Sequence, residues 1–146
     1  MSSPNGKAII LKNKAGALAA YPHARVVGGL VYLSGISSRR PDNTYEGAVQ
    51  KDDGQWALDI EAQTRAVLEN IRAILEEAGS SLDHLIDITV FLVDMDVYDG
   101  FNAVYNTYFK ADTGPSRTTV AVKQLPCKAP NRLLIEIKGI AAVKRI

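Results

Sequence analysis

The chain has 146 residues, 47% of them hydrophobic and 23% charged, the make-up of one globular domain (1–146) able to bury roughly two-thirds of its unfolded surface. A formal net charge of +1 with no dense basic run argues against a nucleic-acid or membrane partner, and the single cysteine, Cys127, excludes an internal disulfide framework. His23 and His84 have no zinc-like spacing, no apolar run approaches the roughly 20 residues of a membrane helix, and Met1–Gly6 has no apolar segment behind a basic start, so the expectation is a soluble, cytoplasmic protein without a metal site.

In chain order, Val26-Val27-Gly28-Gly29-Leu30-Val31-Tyr32-Leu33 is two apolar runs around a Gly-Gly pair that tolerates positive φ, and predicts an antiparallel hairpin. Ser34-Gly35 ends the second strand. Residues 37–44 form a polar loop with turn formers from Pro41 to Asn43, and the Gly/Asp/Gln-rich stretch 47–56 also reads as loop. From Asp59 to Ala78 the period becomes helical: Ile60, Thr64, Val67, Ile71, Ile74 and Ala78 form one stripe, while Glu61, Arg65, Glu69, Arg72 and Glu76 face away. The i,i+4 pairs Glu61–Arg65, Arg65–Glu69 and Arg72–Glu76 each add a few tenths of a kcal/mol, and Gly79 is a natural stop.

Leu85–Val93 predicts a mostly buried strand. Asp94 or Asp96 caps a second helix running to about Lys110, with Phe101, Val104, Tyr105 and Tyr108 inward as core. Strands follow near 117–125 and 132–143, joined by the Pro-rich connection 126–131. The order is that of an α+β domain with both helices on one sheet face.

Two charged residues interrupt these last apolar runs: Arg117 in Gly114-Pro115-Ser116-Arg117-Thr118-Thr119-Val120, and Glu136 in Leu134-Ile135-Glu136-Ile137-Lys138. A lone arginine and a lone carboxylate are costly to bury without a partner or ligand. Arg117 and Thr119 share one face of their strand, and Leu134, Glu136 and Lys138 one face of the next. If those faces meet, Arg117 offers a fork for a carboxylate beside a Glu136 whose partly apolar surroundings suit general acid/base work. The other reading is a structural ion pair between adjacent strands.

The motifs in order are Tyr21, Tyr32-Leu33-Ser34-Gly35, Gln63-Thr64 with Asn70-Ile71, Phe101-Asn102-Ala103-Val104-Tyr105, Gly114-Pro115-Ser116-Arg117 and Ile135-Glu136-Ile137. In these, over nearly its whole length, the chain resembles the RidA (YjgF-type) imine and enamine deaminases. The resemblance implies a chorismate-mutase-like α+β fold, a mixed β-sheet with two helices on one face. It also implies a homotrimer with active sites between subunits and no cofactor. By the same resemblance Arg117 binds the substrate carboxylate, Glu136 positions water, and Tyr21, Ser34 and Asn102 line the pocket, with the backbone near Thr119 reaching the nitrogen. The family often has a cysteine where this chain has Thr119, Cys127 reads as an incidental thiol, and the connection before Glu136 looks longer than usual.

Within the family, Ser34-Gly35-Ile36-Ser37-Ser38-Arg39-Arg40-Pro41-Asp42-Asn43-Thr44 looks like the 2-aminomuconate deaminase branch, as do Tyr21-Pro22-His23 and Thr118-Thr119-Val120-Ala121-Val122. That substrate is a small-molecule dicarboxylate, and Arg117 can hold only the carboxylate beside the reacting carbon. A second cation is wanted, and Arg39 and Arg40 are its candidates; the alternative is a solvated surface pair. His23 either lines the site, supports it from behind or is exposed, and His84 reads as a surface histidine. Trp56 has no reading beyond a subunit contact. The rival functions are a general deaminase of 2-iminobutyrate or 2-iminopropanoate, needing only Arg117, and a non-catalytic binding or regulatory protein.

Overall fold

The computed structural model describes residues 2–145. Seven strands, β1 (Ser2–Ser3), β2 (Gly6–Ile9), β3 (Ala24–Val27), β4 (Leu30–Leu33), β7 (Leu85–Leu92), β8 (Ser116–Ala121) and β9 (Ile135–Ala142), form one sheet. Its order is β1-β2-β3-β4-β9-β7-β8, antiparallel except for the parallel pair β7–β8. Between β3 and β4 the chain turns at Gly28 and Gly29, with φ of 57° and 80°, angles that a Cβ would resist in both residues of the hairpin turn.

Stretch 47–56 is not a plain loop. It carries most of a two-stranded ribbon, β5 (Ala48–Gln50) paired with β6 (Trp56–Leu58). These strands are only three residues each, and their hold on the domain comes from elsewhere in the chain. Arg132 lies over the rings of Tyr45 and Trp56, 4.9 and 5.3 Å from their centroids. That contact assigns Trp56 a place the sequence left open.

Helix α1 (Ile60–Glu77) begins at Asp59, whose side chain accepts from Ala62 N, and lays the expected stripe on the sheet together with Gln63, Leu68 and Leu75. Gln63 is fully buried because its amide is committed: Nε2 donates to Gly47 O and Arg132 O, and Oε1 accepts from Leu134 N. The Arg65–Glu61 pair forms as expected, but Arg72 pairs with Glu69 rather than Glu76. Helix α2 (Tyr98–Tyr108) starts later than expected, after a 3₁₀ turn at Met95–Val97 that Asp94 caps. Phe101, Val104 and Tyr105 are buried and Tyr108 is half-buried, its hydroxyl donating to Glu69. Both helices cover the sheet face that carries Val31, Ile88, Val90, Leu92, Ile135 and Ile137. No helix among the described residues is long and apolar enough to cross a membrane.

Candidate active site

The sheet order decides how the two charged residues stand. Strand β7 lies between β8 and β9, so the expected neighbouring strands are not neighbours. Arg117 is level with Ile88 and Thr119 with Val90, on the helix-covered face. Glu136 is level with Phe91, and Phe91 in turn with Val120 on β8. Successive strand residues alternate faces, so Glu136 points to the uncovered side. Within one chain Arg117 and Glu136 are therefore back to back, and neither the shared site nor the structural ion pair read from the sequence exists there.

The helix-side half is built around Arg117. Its Nη1 donates to Asn102 Oδ1 (2.9 Å) and its Nη2 to Tyr98 OH (3.0 Å). Phe101 and Tyr105 wall it in, at 5.0 and 4.7 Å from ring centroid to guanidinium carbon. These aromatics are core, as expected, and also the walls of the arginine's cage. Tyr98 escaped the sequence reading; its signal was helical spacing, four residues before Asn102 and so on the same helix face. Arg117 has no acidic partner among the described residues, and three of its five N–H donors remain open. Thr119 Oγ1 is buried nearby on the same strand face and finds no hydrogen-bond partner among the described residues.

The open-side half is built around Glu136. Beyond β4 the chain keeps alongside β9: Ile36 N donates to Ile137 O (2.8 Å) and Ile137 N to Ile36 O (3.0 Å). This lays Gly35 against the carboxylate. A Cβ there would stand 2.8 Å from Glu136 Cδ and closer still to Oε2, so the glycine is what lets the acid lie flat on the backbone. Burial raises the Glu136 carboxyl above the ordinary carboxylate range, and no cation acts to lower it. Leu18, Tyr21, Ser34, Ser37, Arg39 and Pro126 line the cleft with Gly35 and Glu136. The Ser34 hydroxyl donates to Pro22 O (2.7 Å), leaving its lone pairs to the cleft.

Three further residues named from sequence separate here. His23 lies at the wall, but its ring is fully engaged: Nδ1 accepts from Leu11 N (3.1 Å), so Nε2 carries the proton and donates to Ala15 O (2.8 Å). It ties the arch 11–23 to the sheet and has no nitrogen left for a ligand. Arg40 is turned away from the cleft, bonded to Glu46 and Thr44. Arg39 faces it, with Nη1 on Asn43 Oδ1 (2.7 Å) and Nη2 on Gly16 O.

The sheet thus carries, on opposite faces, a caged arginine and a half-buried glutamate, neither with a partner of opposite charge among the described residues. The family model described as Endoribonuclease L-PSP (Ribonuc_L-PSP) matches residues 11–143. A RutC family protein of Pyrococcus horikoshii is 38% identical over 133 residues, covering 91% of this chain and 94% of its own. The crystal structure of yeast Mmf1 superposes with a TM-score of 0.79 at 32% identity, over 94% of this chain and 98% of its own. That of RidA from the Antarctic bacterium Psychrobacter sp. PAMC 21119 does so with a TM-score of 0.77 at 28% identity, over 94% and 99%. The chain belongs to the Ribonuc_L-PSP family, the RidA/YjgF/RutC proteins.

Proposed function

We propose that the protein is a cofactor-independent deaminase that hydrolyses 2-aminomuconate to 4-oxalocrotonate and ammonia, working as a homotrimer whose active sites lie between subunits. The observation that carries this reading is the back-to-back placement of Arg117 and Glu136. Each is an unfinished half-site, and the halves of two copies together supply what one chain separates. The uncovered sheet face also exposes Tyr32 and Val120 on either side of the Glu136 strand, apolar surface that a second copy would cover.

In the composite site the carboxylate beside the reacting carbon sits on the open N–H groups of Arg117. The enamine tautomerises to the 2-imine. Glu136, ionised, takes a proton from a water whose oxygen bonds to C2 and passes it to nitrogen, giving a carbinolamine; the C2 hydroxyl proton then moves through Glu136 to nitrogen as the C–N bond breaks, leaving the C2 carbonyl and ammonia. Positioning and electrostatic anchoring supply most of the acceleration. Burial of Glu136 suits a base that must release its proton again. The nuclease description of the family model finds no support in the charge, since nucleic-acid affinity rests on cations set along a phosphate track and this chain is near neutral. The test is ammonia release from freshly generated 2-aminomuconate beside 2-iminobutyrate. Faster turnover of the dicarboxylate supports the reading, clear preference for the monocarboxylate turns it into a general imine deaminase, and no turnover of either removes catalysis. Light scattering at micromolar concentration should give three copies.

A further inference from the structure

We infer that Arg39 is a second anion-binding group of the Glu136 cleft, so that a dicarboxylate ligand is held at its two ends by different copies of the chain. Arg117 of one copy takes the near end and Arg39, on the Glu136 side of its neighbour, takes the far end. The inference rests on the proposed pairing of the two half-sites.

Arg39 is the cation in that cleft's wall, and no carboxylate among the described residues neutralises it. Its two engaged donors go to neutral oxygens, Asn43 Oδ1 and Gly16 O, which fix the guanidinium without cancelling its charge. Three N–H groups stay open. Asn43 holds its end from a left-handed turn position, φ 68°, closed by its own N–H on Arg40 O (2.9 Å). Arg40 offers no such service, because Glu46 already occupies it. Lys14, in the wall of the adjoining hollow, is bonded to Asn70 Oδ1 (3.2 Å).

Arg39 and Glu136 share the cleft without pairing. No ion pair joins them, and burial alone shifts the glutamate. A ligand whose reacting carbon stands at Glu136 thus has a cation further along the same cleft. An extended ligand with a second carboxylate matches that; one with a methyl end leaves Arg39 without a partner. Selection comes from the far end and chemistry from the near one.

Unreactive six-carbon trans,trans-dienoates separate the two ends: trans,trans-muconate carries both carboxylates, and sorbate only one. Titration calorimetry on the assembled protein should give muconate binding at least about tenfold tighter than sorbate, one charge-assisted contact. Arg39→Ala and Arg39→Gln should bring muconate down to the sorbate level and leave sorbate unchanged, while Arg40→Ala keeps the preference. Equal binding of the two ligands by the native protein, a preference surviving both Arg39 variants, or one lost in Arg40→Ala overturns the inference. Thermal melts confirm that each variant is folded. Arg117→Ala should weaken both ligands alike; if it weakens neither, the proposed pairing of half-sites fails instead, whatever Arg39 does.

Discussion

The two faces of this sheet carry charge in opposite ways. On the helix-covered side Arg117 is surrounded, gripped by Asn102 and Tyr98 and walled by Phe101 and Tyr105, and its geometry is complete before any ligand arrives. On the open side Glu136 has no side-chain partner among the described residues; a glycine's bare Cα and a loop arch shape its surroundings. In the proposed site the first face would hold an anion still and the second would let a carboxylate change protonation. One chain cannot bring them together, and that separation is the strongest structural argument for assembly.

The largest effect expected from breaking this pair is at Glu136. Glu136→Gln keeps the size and hydrogen bonds but cannot take a proton, and should lower kcat by about a hundredfold or more in a folded assembly. Arg117→Ala should cost about a hundredfold in kcat/KM through the lost anchor. Co-assembling the two inactive variants sharpens the comparison: sites that join copies regain activity at about a quarter of the interfaces, whereas sites within one chain regain none.

Gly35→Ala is the next smaller step. The added methyl must displace the Glu136 carboxylate, and a shift of that size should lower kcat by about tenfold while leaving the Arg117 half and the fold intact. Steady-state kinetics with circular dichroism checks it, and an unchanged kcat would mean that Glu136 acts from another position.

The pH dependence follows from burial. Glu136 must be ionised to act, so the rate should fall on the acid side with a midpoint above the ordinary carboxylate range, and Glu136→Gln should lack that limb. The stability effect runs the other way. The folded chain keeps this proton where the unfolded chain has released it. The Glu136 contribution to stability therefore falls as pH rises from the ordinary carboxylate range through the raised folded value. At neutral pH the Gln variant should melt no lower than the native protein, and its advantage should shrink toward acid. In Arg117→Ala the kinetic limb should move to higher pH if the two residues share a site, since a cation favouring the carboxylate is gone. Smallest of all, Trp56→Ala should lower stability by about 0.5–1 kcal/mol in a denaturant titration and leave turnover alone, because Arg132 loses one of its two aromatic faces and neither Trp56 nor Arg132 lines the Glu136 cleft.

Much of this was written in the sequence by local rules. The α1 stripe and the Gly28-Gly29 hairpin depend on residues within a turn or two of one another, so periodicity and turn chemistry reveal them. The ribbon β5–β6 did not show, because strands of three residues are too short for an alternating pattern to register, and what holds it lies about 75 residues later at Arg132. Sequence left open whether His23 lines the site; two backbone groups claim its ring and settle it as a support of the wall. Arg39 and Arg40 were equivalent as letters; Glu46 and the Gly16 carbonyl told them apart.

The sequence by itself singled out the two residues on which the proposed chemistry rests, since an arginine and a glutamate set into apolar strand runs are conspicuous wherever those strands go. Alternation within a strand also determined that Arg117 shares a side with Thr119, and Glu136 with Lys138. Which side each faces was a tertiary decision. Strand order arises from pairings among segments far apart in the chain, and here β7 enters between β8 and β9 at a register that turns Arg117 under α2 and Glu136 outward. A one-residue change in either register would have put both on one face. The register follows from burying Ile88, Val90, Ile135 and Ile137 together, so the hydrophobic core, not the charged pair, set the two half-sites back to back.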